Sequence, residues 1–253
     1  MANFMNAASG ATSMFGSGGT INWAALWKQN DVSPAVQKHL SKTFTTLAMV
    51  VGAAAAGTYL YMYTHLAPML FFLGTMLCLW GFHGERDTTK RTYYLLGFGV
   101  CKGGAIGSLV ETALYMDPAI VTTAFLVTLV VFGCFAGAAM FAKRRSYMYL
   151  GATLGSIMGW MCLASILNIF MRSSMINDAL VYGGLLVFCA YVLFDTQLII
   201  ERAAGGDRDH QRAALTLFID FAAIFVRVLI ILMKMQKRGG RGGERKKKNS
   251  GRR

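Results

Sequence analysis

The sequence has little charge and almost no proline. Only 15% of its residues are charged and three of 253 are Pro, while 55% are hydrophobic. The charge that exists gathers in short clusters between long apolar runs. That distribution excludes the one or two soluble domains that the length would otherwise suit. There is no Cys-x-x-Cys pair, and the five cysteines (Cys78, Cys101, Cys134, Cys162 and Cys189) all lie inside apolar runs, with no His at ligand spacing. A disulfide framework and a zinc site are therefore not expected, and the cysteines read as small apolar packing residues. The opening stretch MANFMNAASGATSMFGSGGT lacks a basic n-region and a continuous apolar core. A cleavable signal peptide is not expected, and the first membrane segment takes the role of an uncleaved targeting signal.

What the chain does have is bilayer-length apolar runs. Seven stand out, over residues 43–63, 67–82, 92–116, 119–141, 147–171, 179–200 and 213–233, each near the roughly 20 residues that a membrane helix needs. The expected fold is an all-α polytopic membrane protein, a seven-segment helical bundle. Residues 1–41 form an N-terminal region, disordered over the Gly/Ser/Asn/Met-rich 1–22 and then amphipathic, with Ser33 as cap and Pro34 at the first helical position. Residues 42–235 form the transmembrane domain, and 236–253 a basic disordered tail.

Net charge is +13, but from Lys234 onward the tail holds ten Lys/Arg and one Glu, so +9 of it sits in the last twenty residues. Along the body, Lys/Arg number three before the first run, none after it, three after the second, none after the third, three after the fourth, one after the fifth and three after the sixth. This alternation predicts a cytosolic N-terminus by the positive-inside rule. The tail breaks the pattern, so the seventh run either crosses fully against the rule or dips in and returns. Glycines at four-residue spacing mark three runs: Gly99, Gly103 and Gly107; Gly133 and Gly137; Gly151, Gly155 and Gly159. Such ridges let helix backbones approach closely in lipid.

Ionisable residues inside the runs are few: Lys102 and Glu111 in the third, Asp195 in the sixth, Asp220 and Arg227 in the seventh. An acid in the middle of an apolar run is costly, and by default marks a functional site. The charged turn GGDRDH lies midway between Asp195 and Asp220. A helical hairpin closed there carries both carboxyls to one depth, on the order of 10 Å inside the membrane surface next to the turn. Two carboxyls brought together in low dielectric share a proton, switch near neutral pH, and offer hard oxygens that suit calcium. The plainer reading is a pair of acids satisfied by Thr196, Gln197 or Arg227, locking two helices together. Arg227 lies seven residues beyond Asp220, on the same face but too far for a direct pair.

The stretch FDTQLIIERAAGGDRDHQRAALTLFIDFAAIFVRVLIIL resembles the C-terminal signature of the Bax inhibitor (transmembrane Bax inhibitor motif) family. Ile106-Gly107-Ser108-Leu109-Val110-Glu111, followed by Pro118 and Thr122-Thr123-Ala124-Phe125, is similar to that family's third-to-fourth span motif. Lys143-Arg144-Arg145-Ser146-Tyr147 is similar to its basic fourth loop, and Asn168-Ile169-Phe170 to the end of its fifth span. The likeness covers about residues 40–235. It implies a bundle around a central seventh helix in the endoplasmic reticulum or related membranes. It also implies a pH-sensitive calcium leak gated by Asp195 and Asp220, and a negative regulator of cell death acting through lowered store calcium. Glu111 takes the place of the family's third-span acid. It either extends a cation path or is a hydrated interfacial group. Ser108 stands where the family usually has Pro, which implies a weaker kink.

Lys102 stands where close relatives carry a small or hydroxyl residue. A buried ammonium must pair or lose its proton. Lys102 is expected to face the bundle and pair with the aspartate site as a counter-charge, favouring a closed state; the alternative is that it runs along Gly103/Gly104 to an interface. The family's gate-side basic residue falls on Arg86 or Arg91, undecided between them.

No cofactor is expected; calcium and protons are the ions carried or sensed. The tail's RGG-like repeat lacks aromatics to stack bases, so nucleic acid is not an expected partner. If the tail is cytosolic, anionic membrane lipid is its simplest partner; calmodulin, anti-apoptotic regulators or calcium channels are the protein candidates. An intramembrane aspartyl protease also sets one Asp in each of two spans. Phe194 and Ile219 stand before the acids here, and no Pro-Ala-Leu motif follows, so an enzyme is not expected. A non-transporting scaffold is the remaining alternative.

Overall fold

In the computed structural model the described residues are 33–142 and 150–250, with side chains described as far as Arg238. The expected disorder over 1–22 and the basic fourth loop at Lys143–Tyr147 lie outside them. Among these described residues seven helices follow in order: α1 Pro34–Thr64, α2 Pro68–Gly84, α3 Thr88–Met116, α4 Pro118–Phe141, α5 Leu150–Met171, α6 Ser174–Ala204 and α7 His210–Ser250. All except α2 are long and apolar enough to cross a membrane.

The three prolines explain three of the helix starts. Pro34, Pro68 and Pro118 each open a helix, where the missing N–H costs nothing and the fixed φ is already helical. Asp87 and Asp117 cap α3 and α4 by accepting hydrogen bonds from the Thr89 and Ala119 backbone N–H groups, at 3.0 and 2.9 Å. Ser33 is the residue before α1, as expected, but its side chain makes no capping bond. From Pro34 the chain runs as one 31-residue helix, so the short amphipathic helix and the first span are a single element. The backbone over 236–250, expected to be disordered, continues α7.

The bundle is built around α7, which packs against α1, α3, α4 and α6. Its buried residues, among them Leu217, Phe218, Ile224 and Leu229, include the largest enclosed side chains of the protein. At the other extreme, α5 packs on α6 and buries only Leu154. The α1–α3 seam is the tightest contact, because glycine allows it. A Cβ on Gly57 would strike the Val100 carbonyl, and one on Gly103 the Ala54 carbonyl. The Thr58 hydroxyl donates across the seam to the Gly103 carbonyl at 3.1 Å. The other glycine ridges do not serve this purpose. A Cβ on Gly133, Gly137, Gly155 or Gly159 would find nothing within 4 Å, and one on Gly151 would meet only the Phe194 ring.

Successive helices alternate in direction, and polar contacts hold both ends. At the end carrying the α6–α7 turn, here the near face, Arg91 Nη2 donates to Asp209 Oδ2 at 2.7 Å. At the far face His65 Nδ1 lies 3.7 Å from Glu111 Oε1, and Lys234 bonds to Asp178. Asp178 is near the start of α6, so α7 runs alongside α6 from one face to the other. The dip-and-return alternative is not what the chain does.

Candidate functional site

Asp195 and Asp220 meet across the α6–α7 interface. Asp195 lies nine residues before the end of α6 and Asp220 ten residues after the start of α7, so both sit about 14–15 Å in from the near ends of their helices. Their carboxyl groups face each other, and they are 9% and 4% exposed. Two carboxyls brought close in low dielectric cannot both ionise without cost. Asp220 Oδ2 is buried with no partner among the described residues. The register repeats further along: Arg227 lies over the Phe188 ring, 4.3 Å from its centroid. This second pair is centred on the same point in the chain as the first, between Asp207 and Arg208.

Gln197, two residues after Asp195, donates from Nε2 to the Ala139 carbonyl of α4 at 3.2 Å, tying the Asp-bearing turn of α6 to α4. On the near side of the pair, α7 is fastened to α3. Gln211 Nε2 donates to the Thr88 carbonyl at 2.8 Å and to the Thr92 hydroxyl at 2.6 Å. Arg91 bonds to Asp209 and stacks over Phe82, 4.5 Å from the ring centroid. Asp209 also accepts from the Arg212 backbone N–H at 3.0 Å, as a helix cap. Burial alone would raise the Asp209 carboxyl, but the Arg91 hydrogen bond, the Arg212 N–H and the nearby positive charge outweigh it and hold it below its usual range. Deeper in, Phe98 and Phe132 pack edge-on against Phe218 and Phe221 of α7, at 5.9 and 5.6 Å.

The other candidates lie apart from the pair. Glu111 is five residues from the far end of α3, half-buried beside His65. Lys102 stands at the middle of α3, fourteen residues from either end. The expected ion pair between Lys102 and the aspartates is not formed, because Lys102 lines a cavity walled on α7 by Phe218, Phe221, Ala222 and Phe225. At 3.6 residues per turn these occupy the side of α7 opposite Asp220. Arg227 makes no ion pair with Asp220 either. It donates from Nη1 to its own helix, at the Ala223 carbonyl, 3.0 Å away, and Gly184 leaves the space its guanidinium fills.

Reading the residues alone missed Asp209, Gln211 and the choice of Arg91. The signals were present: Thr88 and Thr92 one helical turn apart, and Asp209 three residues before Arg212 as a capping pattern.

The family described as Inhibitor of apoptosis-promoting Bax1 matches residues 36–237, which is most of the chain. The chain belongs to this family. Bax inhibitor 1 of Mus musculus is 40% identical over 223 residues, covering 86% of this chain and 94% of that protein. Bax inhibitor 1 of Bos taurus is 39% identical with the same coverage. Bax inhibitor 1 of Arabidopsis thaliana is 40% identical over 224 residues, 85% of this chain and 90% of its own length. Both the α6–α7 hairpin with its aspartates and the Arg91–Asp209 contact fall within the part that matches the Bax inhibitor family.

Proposed function

We propose that this protein is a non-enzymatic, pH-sensitive calcium leak, or calcium/proton exchanger, of the endoplasmic reticulum membrane that acts as a negative regulator of cell death. The observation that supports it is the buried Asp195–Asp220 contact on the central helix. With one proton between them the carboxyls hold α6 to α7. Loss of that proton places two like charges side by side, which pushes the helices apart and presents hard oxygens to a cation. Two carboxyls fall short of the six to eight oxygens of a resident calcium site, which suits passage rather than retention. Arg202 and Tyr191, both on α6, lie near the pair.

The basic loops support a cytosolic near face, with the N-terminus and the mouth closest to the pair on that side. Cytosolic pH is then the signal, and the fastening at Arg91, Asp209 and Gln211 is the cytosolic closure over the pair. Glu111 and His65 mark the lumenal exit. The basic end of α7 emerges there too, and protease protection of the tail in sealed microsomes reads this out. Anti-apoptotic regulators and calcium channels are the protein partners in this reading.

The test is purified protein in calcium-loaded liposomes from about pH 6 to 8, comparing the parent with Asp195→Asn/Asp220→Asn. The parent leaks with a pH dependence that the double variant loses. Unchanged flux with an unchanged pH profile sinks the gate. A parent that does not leak at all favours the scaffold.

A further inference from the structure

The cavity that Lys102 lines has no part in the aspartate site. It has a volume of about 960 Å³ and lies between α1, α3, α4 and α7, at the upper end of the range for small-molecule sites. Its space comes from missing side chains: Gly52, Gly133 and Gly137 line it, and a Cβ on any of them would meet nothing within 4 Å. On α4 the lining runs from Val121 to Met140, about 29 Å along the helix axis, so the cavity is elongated across the membrane. Among the described residues no packing seam closes α1 against α4, which leaves a lateral way in from lipid. Among the described residues lining it, Lys102 is the one charged side chain. It has no hydrogen bond or ion pair there, and Asp195 and Asp220 are screened from it by α7.

Thr58 and Thr122 bring hydroxyls to otherwise apolar walls, and an amine at mid-membrane is best satisfied by an anion that arrives there. An inorganic anion would have to leave water and cross half the hydrocarbon alone. A phospholipid phosphate stays anchored at the interface with its headgroup. A long-chain carboxylic acid has neither difficulty, because it enters the hydrocarbon neutral and brings its own proton. We propose that this cavity binds a single long-chain fatty acid, its acyl chain lying along α4 and its carboxyl on Lys102. The proton is conserved: the neutral acid gives its O–H proton to the neutral amine, and a carboxylate–ammonium pair forms with no net charge added to the membrane interior. Where Lys102 enters already charged, a carboxylate arriving without its proton makes the same pair.

The experiment measures binding of radiolabelled palmitate and its methyl ester to the full chain in nanodiscs of neutral lipid. It compares the parent with Lys102→Met and with Gly137→Leu, whose side chain enters open space and fills the cavity without disturbing packing. The parent binds palmitate saturably at one site and the ester at least tenfold more weakly. Lys102→Met loses at least tenfold in palmitate affinity and leaves the ester unchanged, while Gly137→Leu loses both. Thermal unfolding of each variant within a few degrees of the parent shows the fold intact. The proposal is overturned if the ester binds as tightly as the acid, if Lys102→Met binds palmitate like the parent, or if the parent shows no saturable binding. Displacement of palmitate by phosphatidic acid at lower concentrations than by palmitate itself overturns the assignment to a single-chain acid.

Discussion

Gly103 and Gly137 look alike in the sequence, each a glycine at four-residue spacing in an apolar run, yet replacing them by Ala has effects of opposite sign. At Gly103 the new Cβ lies against the Ala54 carbonyl of α1, which is helix backbone and cannot turn aside. The α1–α3 seam has to open, at an overpacking cost of about 1–3 kcal/mol. The Thr58 to Gly103 hydrogen bond crosses the same seam, and its loss adds about 1 kcal/mol. Against this stands the gain in helix propensity from Gly to Ala, about 1 kcal/mol. The net effect of Gly103→Ala is a loss of about 1–3 kcal/mol. Gly137→Ala meets nothing within 4 Å, so the propensity gain stands alone and the variant is more stable by up to about 1 kcal/mol. The two variants therefore differ by about 1–4 kcal/mol, or roughly 2–16 °C in thermal midpoint for a chain of this size. Thermal unfolding of both in one detergent, followed by circular dichroism, reads the difference. Equal midpoints would refute the reasoning, since the close approach of α1 and α3 would then not depend on the missing side chain.

Two further outcomes follow from the polar contacts. The Asp209 carboxyl, held below its ordinary value of 3.8 chiefly by the Arg91 hydrogen bond against the opposing effect of burial, contributes stability that is complete above that value and is lost as pH falls through its lowered folded value. Asp209→Asn is thus less stable than the parent at pH 7 by about 1–2 kcal/mol, a charge-assisted hydrogen bond discounted for partial exposure. The gap closes below about pH 4; a gap that persists in acid counts against the charge pair. Gly184→Ala puts a Cβ on Arg227 and destabilises by about 1–3 kcal/mol. In an Arg227→Ala background the same change is close to neutral, and a double-mutant cycle of unfolding free energies that shows simple additivity would rule out the contact.

The aspartate pair was legible in the sequence because an antiparallel hairpin has one free parameter, the position of its turn. GGDRDH supplies it, and Asp195, Asp220, Phe188 and Arg227 then fall opposite one another by counting. The helix starts were legible for a similar local reason, since proline in a membrane helix is most at ease in the first turn. Lys102 was not legible. It is one residue from Gly103, which faces α1, and a step of one residue turns the side chain by about 100°. What lies in that direction depends on where α4 and α7 stand, which no period in α3 encodes. The glycine ridges show the same limit: identical spacing on α3 and α4 makes a seam on one and a cavity wall on the other. The Arg91–Asp209 contact joins residues 118 apart, and only the folded bundle brings them together.

The short helix α2 has a consequence for the membrane around it. Its 17 residues rise about 25 Å, while a typical hydrocarbon core is about 30 Å thick. If α2 is to cross, either the lipid along this flank compresses by about 5 Å or the residues flanking α2 reach to the interface, at a fraction of a kcal/mol for each ångström. The other helices, at 22 residues or more, impose no such demand, so the bilayer meets the protein with a step in thickness from one side to the other. A thinner bilayer of about 27 Å removes most of the compression at α2 and is met by slight tilting of the longer helices.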